Sequence, residues 1–504
     1  MMPFMDLINL FWLLWALCGL LVIHVTYNLF FSPLRSFPGP WFCKVSRFWY
    51  CYQLARGNLF LEIRRLHDIY GEVVRIAPNE LSYNAAEAWV SIYGRNIQGN
   101  GESKPSALGT LFQKDPILYG TVLEGAETLI DAEGGDYTPQ RRAIAHAFTR
   151  KSLLTKENII SYYIDRAIET LNVQLNTSKG PVDMIPLFGN TLFDLSCKLT
   201  VGRDLGAINA HGKIHPSVDT LDQAMKWIYI PVTARRFPLV STIMDICQGF
   251  LAKGLLHLDA VGPLVAERLE HGGADTDFVF YMSKHSKDDQ ASKTQLLNNA
   301  TVFIGAGTET TATLLCGAVY YILTNPAVLS KLTHEIRSAA TDKSELNLGL
   351  THNMTYLKAV MNECLRIYPP VPGTLTRVIP KGGAYICGRF VPSNAIVGVN
   401  QWATYHSADN FKHPDDFHPE RWFDEVDKEF ADDRRNALQP FNYGPRKCIA
   451  NELSSMNSNL FLARLLWEFD MELDPSSHDW ANQKGYMGPY KPPLMVKMTR
   501  RTEI

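Results

Sequence analysis

The ten residues 441–450 read Phe441, Asn442, Tyr443, Gly444, Pro445, Arg446, Lys447, Cys448, Ile449 and Ala450. Glycine and proline at 444 and 445 force a tight turn just before the cysteine, and helical spacing follows it. Cys448 is therefore expected to open a helix, where unsatisfied N–H groups and the positive end of the helix dipole favour thiolate over thiol. A thiolate held in this way is a strong axial ligand for haem iron and favours O–O cleavage. Arg446 can reach a haem propionate from this loop, and Phe441 can cover the sulfur and keep water off it. The other eight cysteines are scattered, with no C-x-x-C pair and an odd total of nine. That pattern supports neither a disulfide framework nor a zinc site.

A second stretch, Ala306, Gly307, Thr308, Glu309, Thr310 and Thr311, lies in an apolar helical run. Val302, Ala306 and Thr310 are four apart and share a helix face. Small residues at 306 and 307 would leave room for dioxygen. Thr310 could hydrogen-bond the bound oxygen and Glu309 could feed protons through water, a relay that oxygen scission requires. The plainer alternative has Thr310 bonded back to its own helix carbonyl and Glu309 solvated. A third pair, Glu363 and Arg366, has the i,i+3 spacing of two charges on one helix face. It gains weight from Pro369 and Pro370 just after it and from Pro419, Glu420, Arg421 and Trp422 downstream.

These groups need a large helical frame. The 504 residues are 46% hydrophobic and 20% charged, ordinary for a globular chain with a large core. The net charge of -2 gives no support to nucleic acid as the main partner. Residues 7–34 contain no Asp, Glu, Lys or Arg, and about 20 apolar residues span a bilayer core. The run lacks the basic start and small-residue cleavage site of a signal peptide. Residues 1–31 are therefore read as a retained transmembrane anchor. Arg35, Lys44, Arg47, Arg56, Arg64 and Arg65 against a single Glu62 leave the bulk of the chain in the cytosol. Residues 32–45, with Pro33, Pro38, Gly39 and Pro40, are expected to make a stiff, extended hinge, and residues 46–504 to form one catalytic domain. Helical spacing is found over 59–70, 139–150, 156–175, 183–201, 294–323 and from 448 to about 467; a strand is expected at 72–76, a loop at 275–293 and short strands over 371–400. The fold class is mainly α with small β-sheets. The sequons at Asn176, Asn299 and Asn353 should stay bare on a cytosolic domain. No G-x-S-x-G and no strand-following GxGxxG occurs, so electrons must come from a partner.

The loop at 441–450 resembles the signature of the cytochrome P450 family, F-x-x-G-x-R-x-C-x-G, with Ala450 in place of the final glycine. The other motifs stand in the family's order and cover essentially the whole chain. The resemblance implies a cytochrome P450 fold behind an N-terminal transmembrane helix. It implies haem ligated by Cys448, with Arg446, Phe441, Arg141 and Arg377 as cofactor-binding residues and Tyr137 in the place of the usual Trp or His. Thr310 and Glu309 become the catalytic pair, and Glu363, Arg366 and Arg421 a buried structural triad. Val302, Phe303, Ala306 and Thr374 become substrate-pocket residues. The implied activity is monooxygenation: one atom of O2 enters an apolar small molecule, by hydroxylation or epoxidation, with electrons from NADPH through NADPH–cytochrome P450 reductase. The implied site is the endoplasmic reticulum membrane, single-pass, with the domain in the cytosol. Residues 66–81 resemble filamentous-fungal members that tailor terpenoids, polyketides and alkaloids, nearest the trichothecene C-15 hydroxylase-like branch. The rival readings are a haem-thiolate isomerase or dehydratase working without O2, and a non-catalytic haem-binding membrane protein.

Overall fold

The computed structural model describes residues 2–99, 102–105, 109–120, 126–177, 180–227, 232, 234–237, 240–243, 261–272, 276–284, 293–423, 425 and 428–501. Helix Met2–Thr26 runs straight into a π-helical stretch, Tyr27–Phe31. Residues 11–31 are long and apolar enough to cross a membrane. Beyond them the expected extended hinge is instead a tight turn pinned to the domain. Arg35 N donates to Ser32 O at 2.9 Å and Phe37 N to Leu34 O at 3.1 Å, and Leu34 and Phe37 are buried. The cause is Arg75, which is fully buried. Its guanidinium donates to Asn28 O at 3.0 Å and Ser32 Oγ at 3.1 Å, and its N–H donates to Pro38 O at 2.7 Å. Gly39 has φ +148°, and a Cβ there would lie 2.5 Å from Arg75 O. A buried guanidinium must find acceptors, and the segment after the apolar helix supplies them.

The strands β1 (Val73–Ala77), β2 (Glu80–Tyr83), β3 (Asn96–Gly99), β4 (Glu102–Pro105), β5 (Gln113–Lys114), β6 (Val182–Asp183), β7 (Arg377–Val378), β8 (Ala384–Ile386), β9 (Arg389–Val391), β10 (Ile396–Val399), β11 (Phe469–Leu473) and β12 (Met495–Arg500) form small sheets. The largest has the order β1-β2-β10-β7-β5, with β10 parallel to β2 and the other pairs antiparallel. A second has the order β11-β12-β6, and β3-β4 and β8-β9 are two-stranded.

Helices make the main core. The long helix Lys293–Leu323 is buried along most of its length, and Asn325 caps the next helix, which starts at Pro326. It packs along helix Met184–Val201, whose residues are buried almost throughout. Gly305 and Gly307 permit two close approaches: a Cβ would lie 3.4 Å from Leu221 Cδ2 and 3.0 Å from Ser196 Oγ, respectively. Leu221 belongs to the crossing helix, Pro216–Trp227. Part of the loop expected at 275–293 is helical, Phe278–Lys284; residues 285–292 lie outside the described residues. Phe278 and Val279 are buried, so tertiary packing holds a turn that the polar flanks obscure. The expected helix at 139–150 starts earlier, as Gly134–Ala145.

Candidate functional site

Cys448 sits in a loop fixed by its own backbone. Cys448 N donates to Phe441 O at 2.7 Å and Lys447 N to Gly444 O at 3.1 Å. Gly444 has φ +77°, and a Cβ would lie 2.3 Å from Tyr93 O, so the glycine is a steric requirement. Phe441 is half-buried against the main core. One expectation changes here. The following helix begins at Asn451, so Cys448 precedes it by a turn and the backbone N–H that reaches the sulfur is Ala450's. Ala450 has φ −94° and does not need glycine's freedom. The thiol is also held above its ordinary value: burial raises it, against the Ala450 N–H and the Arg141 charge. The side chain is exposed.

Arg141, on helix Gly134–Ala145, is tied to the cysteine loop through Tyr137. Arg141 Nη1 donates to Tyr137 OH at 3.0 Å, and Tyr137 OH donates to Pro445 O at 3.3 Å. Arg377 is buried in β7, where it donates to Tyr119 OH at 3.0 Å and lies 5.1 Å over the Tyr93 ring. The antiparallel register of β5 and β7 sets Lys114 opposite Arg377. Lys114 Nζ donates to Ala132 O at 2.8 Å and stands 4.9 Å over Tyr137. Burial lowers its ammonium to about 8, helped by the Arg446 charge and opposed by Glu133. Arg446 is ion-paired with Glu133, donates to Phe112 O at 2.8 Å, and leaves a buried Nε without a partner. Lys114, Arg141, Arg377 and Arg446 thus converge on Tyr137 and Tyr119 beside the Glu133 carboxylate. Sequence reasoning missed Lys114, Tyr119 and Glu133; strand register brings them in, and no local motif announces it.

On the long helix, Ala306 is exposed and Val302 and Thr310 half-exposed, one open face as the four-residue spacing requires. The Thr311 and Ser454 hydroxyls, 3.4 Å apart, join this stretch to the helix after Cys448. The details depart from expectation. Thr310 Oγ1 donates to Ala306 O at 2.7 Å, the plainer alternative. Gly307 faces Ser196 of the neighbouring helix, so its smallness serves helix packing and not a gas pocket. Glu309 is buried rather than solvated, ion-paired with Lys491 and accepting from Thr313 Oγ1 at 3.1 Å. Phe303 packs against Phe148 and Phe278, with ring centroids 6.1 and 6.2 Å away, so it belongs as much to the core as to the open face. Thr374 Oγ1 accepts from Asn400 Nδ2 at 3.1 Å and its methyl covers Gly398; the side chain closes onto β10. Asn299 is buried and consumed by bonds to Leu129 N and Gln140.

Glu363, Arg366 and Arg421 meet with side chains 0% exposed. Arg366 Nη2 and Nε donate to Glu363 Oε1 and Oε2 at 2.7 and 2.9 Å, and Arg421 Nε donates to Oε1 at 3.1 Å. Trp422 Nε1 adds a bond to Oε2 at 2.8 Å, and Asp433 pairs with Arg421. The cluster balances two cations against two carboxylates. Removing one partner of such a network costs ~3–5 kcal/mol, because a bare buried charge remains.

Among the described residues no three His, Cys, Asp or Glu side chains come together to hold a metal ion. A metal at Cys448 would then take its other ligands from a prosthetic group. Haem fits these residues: the Cys448 sulfur could ligate its iron, and the cations at 114, 141, 377 and 446, with the unpartnered Arg446 Nε, suit its carboxylates.

The family model described as Cytochrome P450 matches residues 37–498. The chain is 37% identical over 484 residues to the cytochrome P450 monooxygenase astJ of Aspergillus oryzae, covering 95% of this chain and 94% of that protein. It is 34% identical over 501 residues to the trichothecene C-15 hydroxylase of Fusarium sporotrichioides, covering 97% and 99%. It is 35% identical over 496 residues to the averantin hydroxylase of Dothistroma septosporum, covering 97% and 90%.

Proposed function

The chain belongs to the cytochrome P450 family, a monooxygenase by that membership, and from this premise we propose how its residues carry the reaction and on what. Cys448 would ligate the haem iron through its sulfur. Arg141, Arg377 and Arg446 hold the haem propionates, with Lys114 as a fourth cation. Phe441 backs the cysteine loop. The haem, once bound, supplies dioxygen activation. Thr310 holds a proton at Oγ1 beside the exposed Ala306, and Glu309 exchanges a proton at its carboxylate. Val302, Ala306 and the exposed part of Phe303 orient an apolar substrate by buried area; a substrate with several fixed charges would find no partners there and would be penalised for desolvation. The observation that carries this reading is the hydrogen-bonded chain from Arg141 through Tyr137 to Pro445, which fastens a cationic cradle to the loop of an exposed thiol.

The substrate is an apolar intermediate of fungal secondary metabolism, terpenoid, polyketide or alkaloid. NADPH–cytochrome P450 reductase supplies the electrons. The apolar helix at 11–31 anchors the protein in the endoplasmic reticulum membrane as a single pass, leaving the domain in the cytosol. The full chain with reductase, NADPH and 18O2 tests the activity: incorporation of one labelled oxygen into a candidate intermediate is the expected result. Turnover without O2 would favour an isomerase or dehydratase, and no turnover across the pathway's intermediates would favour a binding protein.

A further inference from the structure

Asp115 directly follows Lys114 and is 1% exposed. Its carboxylate uses both oxygens within the fold. Oδ1 accepts from Ile117 N at 3.1 Å. Oδ2 accepts from Thr376 Oγ1 at 2.9 Å and pairs with Arg236. Three stretches of chain remote in sequence, around 115, 236 and 376, meet at this one side chain. The charges near it balance. Glu80 on β2 is the next carboxylate that Arg236 faces, and it pairs in turn with Arg47. Two guanidiniums offset two carboxylates, and none of the four side chains is more than 9% exposed.

The strands beside Asp115 are too short to hold themselves. β5 and β7 have two residues each, Gln113–Lys114 and Arg377–Val378, and so small a ladder has little stability of its own. Asp115 N extends the pairing by donating to Thr376 O at 3.4 Å. The bond from the Thr376 hydroxyl ties the neighbour of Arg377 to the neighbour of Lys114. On its other side Asp115 caps the short helix Pro116–Tyr119. That helix returns the chain so that Tyr119 OH accepts from Arg377 at 3.0 Å and the Tyr119 ring lies 5.8 Å from Lys114 Nζ. Both cations are therefore placed by elements that the Asp115 carboxylate joins.

We propose that Asp115 is a positioning residue for haem binding: its carboxylate, charge-balanced by Arg236, pins β5 to β7 so that Lys114 and Arg377 face the haem carboxylates together. This rests on the reading of Lys114 and Arg377 as haem-carboxylate cations. Lys114 reports on the arrangement, because it binds an anion only while charged. Burial lowers its ammonium to about 8; the charges of Arg446 and Arg377 act in the same direction, and those of Glu133 and Asp131 oppose it. Haem held by Lys114 is therefore lost faster as pH rises through that range, and haem held without Lys114 is not.

The test is the rate of haem transfer from the full chain to an apo-globin between pH 7 and 9. Asp115→Ala should release haem about tenfold faster at pH 7, as for the loss of one bond to a charged group, and its rate should no longer climb with pH. General destabilisation would instead raise the rate by one factor at every pH and leave the climb. Asp115→Asn still accepts from Ile117 N and still partners Thr376, so it should keep the parent's climb. Thr376→Val removes one bond from the far side; it should flatten the climb too, and it decides the matter if Asp115→Ala does not hold haem. An Asp115→Ala or Thr376→Val protein with the parent's climb would overturn the inference, as would an Asn variant as flat as Ala. A Lys114→Met protein that keeps the climb would instead overturn the cradle reading beneath it.

Discussion

Trp422 donates its indole N–H to Glu363 Oε2 at 2.8 Å, so the tryptophan next to Arg421 joins the guanidiniums of Arg366 and Arg421 in satisfying a buried carboxylate. Trp422→Phe should bind haem but lose ~1–3 kcal/mol of stability, the cost of removing one partner from a buried charged acceptor. Chemical denaturation of the haem-bound protein measures it; an unchanged midpoint would show the bond to be dispensable.

The same carboxyl sets an acid limit. Burial alone would raise Glu363, but the Arg366 and Arg421 guanidiniums override it and hold the carboxyl below its ordinary value. A carboxyl depressed in the fold contributes stability that is fully present above its unfolded value, about 4.3, and is lost as pH falls through the folded value. Stability measured from pH 7 downward should therefore drop steeply in that acid window. Glu363→Gln should be far less stable at pH 7 and show a shallower acid limb.

Lys114 predicts the opposite end of the pH scale. Its ammonium is lowered to about 8 and binds an anionic carboxylate only while charged. Transfer of haem to an apo-globin acceptor should accelerate as pH rises from 7 to 9. Lys114→Met should release haem faster at pH 7 and lose that pH dependence. A mutant that keeps the parent's pH profile would remove Lys114 from the cradle.

Deletion of residues 1–26 should release the protein from membranes with its haem retained, because Arg75 keeps Asn28 and Ser32 as partners. Deletion of residues 1–35 removes both, and buried Leu34 as well, and should cut haem content and stability. Sedimentation and haem-to-protein ratio separate the two; equal behaviour would mean the turn after the helix is not part of the domain.

The parts of this site that were legible in the sequence are those encoded within one turn or one helix. Gly444 and Pro445 announce the cysteine loop, and the spacing of Val302, Ala306 and Thr310 announces an open helix face. What the sequence hides is set by contacts between distant segments. Lys491 and Glu309 are 182 positions apart, Lys114 meets Arg377 only through strand register, and Arg75 holds a proline-rich stretch as a docked turn because its buried guanidinium takes acceptors from Asn28 and Ser32 as well as Pro78. Gly307 reads as room for a ligand until Ser196 is found against it.

Ala306 carries the pocket assignment. Ala306→Phe should keep the haem spectrum but block turnover or move the oxidised carbon, since Ala306 is exposed on the open face; unchanged rate and regiochemistry would put the pocket elsewhere.

The spectrum of the carbon-monoxide-bound ferrous protein tests the central assignment most directly. The parent, Cys364→Ser and Cys387→Ser should all give the red-shifted Soret band of a thiolate-ligated haem, because Cys364 is buried on the charge-network helix and Cys387 lies in the β8-β9 turn. Cys448→Ser should lose that band. A Cys448→Ser protein that retained it would contradict the account.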